Sequence, residues 1–276
     1  MTPMTIDGLR WEVRAAGPDA ARPLLLLHGF TGRGTSWGGL AAALRRAGRR
    51  TITVDLPGHG RSGMAPGEPA RMTVERTADD LATMLTALHA APADVLGYSL
   101  GARIALRLAV AYPEAVARLV LESPSAGIAD PGAREERRRA DDDLATSMER
   151  DGIEAFVDRW ERGPVFATHA ALDPRTAVRQ RAIRLANRPE GLAASLRAAG
   201  QGSMTPLFDR LADVTAPTLV IAGSLDPARP RAEQVAAGIP GARLAVIDGA
   251  GHTPHLERPA AFHRLALEFV LEDPAA

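Results

Sequence analysis

The chain has 276 residues, 46% of them hydrophobic, which suits one large domain or a domain with an insertion. Cysteine is absent, so disulfides, thiolate catalysis and cysteine-ligated metals are excluded. The 33 basic and 33 acidic residues balance, and this charge gives no indication of a nucleic acid or membrane partner. Lysine is also absent, so an arginine can be assigned a function only from its position.

The N-terminal segment lacks the basic flank and the apolar stretch of a signal peptide. The longest aliphatic run, Leu24 to Leu27, is too short to span a membrane. We therefore expect a cytoplasmic protein. Nothing in the sequence indicates its oligomeric state.

Strand and helix patterns alternate along most of the chain. The Asp7-Gly8 pair predicts a tight hairpin between two short strands. Six apolar runs closed by Gly, Pro or Ser follow, at 23–29, 51–58, 93–99, 117–123, 216–223 and 242–249. Helical patterns lie at 38–48, 73–89, 100–112 and 258–271. Continuous apolar runs suit strands buried on both faces, so we predict a mainly parallel sheet flanked by helices.

Residues 124–206 interrupt this alternation. They contain no convincing strand, are dense in Arg, Asp and Glu, and are typical of several helices. The simplest interpretation is a helical cap inserted between two parts of one core, 1–123 and 207–276. A separate helical domain is the alternative.

A candidate nucleophile stands in Gly97-Tyr98-Ser99-Leu100-Gly101, which matches the Gly-x-Ser-x-Gly nucleophile elbow. The elbow is a sharp turn from strand to helix, and side chains at 97 and 101 would collide with the neighbouring strand and helix. A predicted strand precedes Ser99 and a predicted helix follows it, as this motif requires.

A serine needs a base and an orienting acid, which in this architecture follow later strands in the order Ser, Asp, His. Asp226 comes just past one predicted strand, and His252 just past the next. We predict a triad of these two residues with Ser99. His255 is the alternative base, and a His252–His255 metal site lacks further obvious ligands.

The segment after the first long apolar run, His28-Gly29-Phe30, has the position of an oxyanion loop. There the backbone N–H groups of Phe30 and Leu100 would converge on a substrate oxygen. We expect His28 to brace the loop and not to take part in catalysis. With these motifs, the whole chain resembles the α/β-hydrolase superfamily, and the insertion corresponds to its cap.

Arg103 lies four residues beyond Ser99, and this spacing puts both residues on one face of a helix. The arginine would therefore lie at or just beneath the active-site pocket. Pairing with a nearby carboxylate is the alternative.

Four longer stretches carry a more specific resemblance. They are GYSLGAR at 97–103, LESPSAGIADPGAREERRRADDDLA at 121–145, GIEAFVDRWERGPVFA at 152–167 and RAIRLANRPEGLAASLRAAGQGSMTPLFDRL at 181–211. Together they resemble the 2-succinyl-6-hydroxy-2,4-cyclohexadiene-1-carboxylate synthases of menaquinone biosynthesis. The chain departs from that family's pattern in Ala102, where the elbow helix usually has a second glycine, and in the loosely matched AAGQGS.

The resemblance implies a small-molecule substrate with three carboxylates held by arginines. Carried over by motif, these are Arg103, Arg137 and Arg184, and Trp160 would line the pocket. Guanidinium groups suit this role because they clamp carboxylates bidentately and stay charged when desolvated. Two alternatives stay open: the arginines of the insertion could belong to a solvated helix face, and Trp160 could be simple packing.

The resemblance further implies a lyase reaction, the elimination of pyruvate from an enolpyruvyl ether, with no metal or organic cofactor. In it the triad serine acts as a base. The first alternative is a serine hydrolase of the same fold, either a carboxylesterase or a C–C bond hydrolase. A second is a binding protein without catalysis, but such proteins typically lose the serine or the histidine.

Overall fold

The computed structural model describes residues 2–65 and 68–272. A few residues of the predicted core segments lie outside this described part, namely 1, 66–67 and 273–276. Eight strands form one sheet: β1 (Thr2–Ile6), β2 (Leu9–Ala16), β3 (Pro23–Leu27), β4 (Arg50–Asp55), β5 (Ala93–Tyr98), β6 (Val116–Glu122), β7 (Thr218–Gly223) and β8 (Arg243–Ile247). Their order is β1-β2-β4-β3-β5-β6-β7-β8. The pairings of β1 with β2 and of β2 with β4 are antiparallel, and the others are parallel.

Nine α-helices lie within the described residues. They are α1 (Gly38–Arg46), α2 (Val74–Ala87), α3 (Leu100–Ala111), α4 (Pro131–Trp160), α5 (Pro174–Leu185), α6 (Pro189–Ala199), α7 (Arg229–Gly238), α8 (Pro254–Glu257) and α9 (Pro259–Leu271). Each of the six predicted apolar runs overlaps a strand, and the hairpin joins β1 to β2 through positive φ angles at Asp7 and Gly8. The predicted fold class is confirmed.

Strand β3 shows why its sequence is continuously apolar. Leu25 and Leu27 belong to one hydrophobic cluster, which also contains residues of α2 and α3. Leu24 and Leu26 belong to a second cluster, which contains residues of α1 and α9. Successive side chains of a strand point to opposite faces, so a sheet covered on both sides needs an apolar residue at every position.

The chain between β6 and β7 contains helices α4, α5 and α6 and, among its residues, no strand. Helix α4 begins after Asp130, whose carboxylate accepts the Ala133 N–H at 2.7 Å, and it bends at Gly152, where φ is +80°. A third hydrophobic cluster joins α4 to α6, and Phe30 of the core packs against it. The boundaries of a cap at 124 and 206 remain a prediction.

Within the described part of the chain, no helix combines the length and apolar character needed to cross a membrane.

Candidate active site

The turn at Ser99 joins β5 to α3 with a left-handed backbone, φ +50° and ψ −104°. A Cβ added at Gly97 would lie 2.3 Å from the Gly101 carbonyl oxygen, and one added at Gly101 would lie 2.2 Å from the Leu27 carbonyl oxygen. These contacts are with backbone atoms of the helix and the neighbouring strand, as the motif predicts. Both positions therefore require glycine.

The three side chains of the predicted triad are in contact. His252 Nδ1 lies 2.9 Å from Asp226 Oδ2, and His252 Nε2 lies 3.2 Å from Ser99 Oγ. They meet because Ser99, Asp226 and His252 follow β5, β7 and β8, whose carboxyl ends share one edge of the sheet.

The Asp226 carboxyl group stays ionised in this position. Burial raises its pKa, but the hydrogen bond and charge of His252, together with the Ala228 N–H at 2.8 Å from Oδ1, outweigh burial and lower the pKa. The carboxylate therefore keeps a proton on His252 Nδ1. This tautomer leaves Nε2 free to accept the hydroxyl proton of Ser99.

His255, the alternative base, has a different partner. Its Nδ1 lies 2.8 Å from Glu122 Oε1, and its ring packs against Trp37 with centroids 4.9 Å apart. His252 and His255 are thus hydrogen-bonded to two different carboxylates. The described residues contain no cluster of three or more His, Asp or Glu side chains that could hold a metal ion.

His28 braces the loop after β3. Its Nδ1 lies 2.8 Å from the Gly29 carbonyl oxygen, and its Nε2 accepts the Leu56 N–H at 2.9 Å. Burial lowers the pKa of His28 to about 4. The neighbouring His59 is also buried, and burial and the charge of His28 lower its pKa to about 3. Both rings are neutral at pH 7.

This burial predicts a loss of stability in mild acid. Both pKa values lie below the ordinary value of 6.5, so the unfolded chain takes up the protons first as pH falls. The stabilisation is complete above pH 6.5 and is lost towards pH 4. Between pH 7 and pH 5 we expect His59 alone to cost about 2 kcal/mol in the free energy of unfolding. Urea unfolding at both pH values should therefore show that His59→Gln loses about 2 kcal/mol less of its free energy of unfolding than the wild type does. Equal losses in the two proteins would contradict this account.

A cavity opens above the triad. Ser99 and His252 line it, together with Phe30 and Leu100, the two predicted oxyanion residues. Leu100 is the first residue of α3, where helix N–H groups are unpaired and the helix dipole favours negative charge. Among the described residues, the lining of the cavity contains arginines but no Asp or Glu. The cavity is therefore suited to an anionic ligand.

Arg103 lines this cavity, is 8% exposed and forms no salt bridge within the described residues. Its Nη1 donates to the Ala199 carbonyl oxygen at 2.7 Å. Burial, and then the neighbouring charge of Arg137, lower its pKa to about 10, which leaves it positively charged at pH 7. Asp141, a carboxylate whose charge acts on Arg103, pairs with Arg137 instead, so a carboxylate partner for Arg103 is not observed among the described residues.

Arg137 also lines the cavity, and its Nε lies 2.8 Å from Asp141 Oδ1. Arg184 is placed differently. Its Nη1 lies 2.8 Å from Glu161 Oε1, its guanidinium covers the Phe166 ring at 5.1 Å, and it lines a smaller neighbouring cavity. The structure thus brings Arg103 and Arg137 to the triad cavity and leaves Arg184 behind Phe166.

Trp160 lines the cavity and packs as well. Its ring stacks on Phe156 with centroids 5.6 Å apart and meets Phe30 edge-on at 5.4 Å. Its indole Nε1 is buried without a hydrogen-bond partner among the described residues. A ligand in the cavity could satisfy this donor, since buried indole N–H groups normally find a partner.

The sequence interpretation missed several polar residues of the cavity, among them Gln201 and Arg231. Arg231 lies on α7, which was not predicted because only Ala232 and Val235 of that helix are buried. The available signal was position, since Arg231 follows Asp226 by five residues at the active edge of the sheet.

Comparison with known proteins identifies the family of the chain. The family model described as the alpha/beta hydrolase fold matches residues 22–259. A Bacillus subtilis (strain 168) protein, provisionally assigned as 2-succinyl-6-hydroxy-2,4-cyclohexadiene-1-carboxylate synthase, is 38% identical over 265 residues and covers 96% of each chain. The synthase of that name from Salmonella paratyphi C (strain RKS4594) is 32% identical over 248 residues, 88% of this chain and 92% of that protein.

Among solved structures, MenH from S. aureus superposes with a TM-score of 0.88 and 31% identity, covering 94% of this chain and 97% of that one. The sequence resemblance is thereby confirmed over nearly the whole chain. The chain belongs to the α/β-hydrolase fold family and, within it, to the family of 2-succinyl-6-hydroxy-2,4-cyclohexadiene-1-carboxylate synthases.

Proposed function

We propose that the chain is a lyase that eliminates pyruvate from 2-succinyl-5-enolpyruvyl-6-hydroxy-3-cyclohexene-1-carboxylate to give 2-succinyl-6-hydroxy-2,4-cyclohexadiene-1-carboxylate. One observation carries the proposal: Arg103, buried and without a carboxylate partner, faces the cavity of Ser99. Burying a charge is costly unless a partner compensates it. A substrate carboxylate would supply that partner, whereas a simple ester would not.

In this proposal, the catalytic serine is a base and not a nucleophile. His252 Nε2 takes the hydroxyl proton of Ser99 while Ser99 Oγ takes the proton from the ring carbon that bears the succinyl group. The electron pair of that C–H bond shifts through the ring double bond, and the bond from the ring to the enolpyruvyl oxygen breaks. The released enolate of pyruvate takes the proton that His252 received, and Ser99 keeps the proton that it took from the ring carbon, so both side chains return to their starting state.

Negative charge develops on the succinyl carbonyl oxygen when the ring proton leaves. We assign the backbone N–H groups of Phe30 and Leu100 to this oxygen, because both residues line the cavity beside Ser99. The dipole of α3 adds to the stabilisation at its N-terminus. Asp226 holds the His252 imidazolium that forms during proton transfer.

The remaining predicted residues would hold the substrate. Arg103 and Arg137 would each pair with a carboxylate, and Trp160 would pack against the ring and offer its free indole N–H. Arg184 would support the site indirectly from behind Phe166, because its guanidinium is paired with Glu161 and does not line the triad cavity. Residues 124–206 would form the cap over the polycarboxylate.

Pyruvate release tests this proposal directly. The precursor is generated in situ by the preceding enzyme of the pathway, and pyruvate is followed with lactate dehydrogenase, with the uncatalysed rate subtracted. A simple aryl ester is assayed beside it. We expect fast pyruvate release and slow ester cleavage.

The opposite pattern, fast ester cleavage with no pyruvate above background, would overturn the proposal. It would leave a serine hydrolase that uses the same triad. An acyl-enzyme detected by mass spectrometry after ester treatment would support that reading, because elimination forms no covalent intermediate.

A further inference from the structure

The triad cavity contains more positive charge than its own acids balance. Arg103, Arg137 and Arg231 all line it, and no described Asp or Glu does. Among the residues that the structure describes, the one carboxylate in contact with these three guanidinium groups is Asp141, which pairs with Arg137 at 2.8 Å. Three positive charges therefore share one negative charge, and a ligand with at least two carboxylates would neutralise the rest.

Arg231 approaches the cavity from the core and Arg137 from the inserted helices. The two guanidinium groups meet at a single acceptor, Gln201 Oε1, which lies 3.2 Å from Arg137 Nη1 and 3.3 Å from Arg231 Nη1. A neutral amide oxygen thus occupies a point where two cations converge. A carboxylate oxygen is the stronger acceptor for both, because charge-assisted hydrogen bonds are about twice as strong as neutral ones.

The neighbouring Arg229 differs from Arg231 both in its ion pairing and in its position relative to the cavity lining. Arg229 stands two residues earlier on α7, forms a salt bridge with Glu233 at 3.1 Å and does not line the cavity. Arg231 forms no salt bridge within the described residues.

We infer that Arg231, together with Arg137, binds a carboxylate of the substrate at the point that Gln201 Oε1 occupies, and so selects polycarboxylate ligands. This inference rests on the proposed function for the identity of the substrate. The binding of the carboxylate, however, can be measured without the reaction. Arg231 is a binding residue and takes no part in proton transfer.

Calorimetric binding of tricarballylate, a simple tricarboxylate, gives a readout independent of turnover. We expect Arg231→Gln to raise the Kd for tricarballylate, and the KM for the precursor, about tenfold, as the loss of one charge-assisted hydrogen bond would do. The kcat should stay within about twofold, because the contact is made equally in the ground state and the transition state. Arg229→Gln is the matched control and should behave as the wild type.

A second variant tests the geometry and not only the charge. Gln201→Glu places a carboxylate at the same point, where it would pair with both Arg137 and Arg231 and compete with the ligand. We expect it to weaken tricarballylate binding about tenfold while raising the thermal midpoint. Combined with Arg231→Gln, it should cost less than the sum of the two separate effects.

The outcomes separate the two hypotheses. Equal Kd and KM values in Arg231→Gln and Arg229→Gln would overturn the role of Arg231, whether or not pyruvate is released. Weakened tricarballylate binding in Arg231→Gln without pyruvate release by the wild type would overturn the proposed reaction and support the carboxylate site. A wild type that neither binds tricarballylate nor releases pyruvate would overturn both.

Discussion

Replacing Ser99 with alanine is expected to lower pyruvate release by about 10³-fold, within the range that general base catalysis supplies. The variant keeps the backbone turn and loses the oxygen that accepts the substrate proton. Within the described residues, Ser99 Oγ forms one hydrogen bond, to His252, so its removal should leave the fold intact. Steady-state pyruvate release and a thermal unfolding curve for each protein measure the two effects.

The triad should behave as one unit. We expect His252→Ala to lose activity to a similar extent, and the double variant with Ser99→Ala to lose little more, because each change removes the same proton transfer. Ser147→Ala, which removes a hydroxyl bonded to the Leu144 carbonyl on α4, is the control and should retain activity. Activity losses that multiply in the double variant would contradict a shared step.

Replacing Arg103 with methionine is expected to raise KM about 10²-fold, since a buried pair between a guanidinium and a carboxylate contributes several kcal/mol when one partner is removed. Methionine fills a similar volume without charge or donors. Arg103→Lys should recover part of the loss, because it restores the charge but not the planar fork. Initial rates over a range of precursor concentrations separate KM from kcat.

The same substitution should stabilise the protein without substrate. Arg103 is a buried cation without a carboxylate partner, and such a charge costs several kcal/mol. Losing the hydrogen bond to the Ala199 carbonyl opposes this gain by about 1–3 kcal/mol. We expect a net gain of about 1 kcal/mol in the free energy of unfolding, measured by urea. Arg107→Met, one turn further along α3 and outside the cavity lining, is the control. If Arg103→Met were less stable than the wild type and its KM were unchanged, Arg103 would have a structural role and would not bind the substrate.

The strands were predictable because a buried parallel sheet demands apolar residues at consecutive positions, as Leu24 to Leu27 show. The triad was predictable for a related reason. Carboxyl ends of parallel strands meet at one edge, so Ser99, Asp226 and His252 come together although more than a hundred residues separate the first from the others. Helix α7 was harder to predict, since its two buried residues give little periodicity.

The sequence by itself thus determined the fold, the elbow and the order of the triad, because each depends on local patterns and on the alignment of strand ends. Only the tertiary structure decided which arginines have carboxylate partners. Arg184 meets the Glu161 carboxylate across 23 residues of chain, whereas Arg137 has its carboxylate partner Asp141 four residues away and meets the Gln201 amide across 64. The packing of the helices determines such pairs. Because the chain contains no lysine, all 33 residues in the Lys and Arg class are arginine. Composition and spacing therefore could not distinguish a paired guanidinium from one that faces the cavity unpaired.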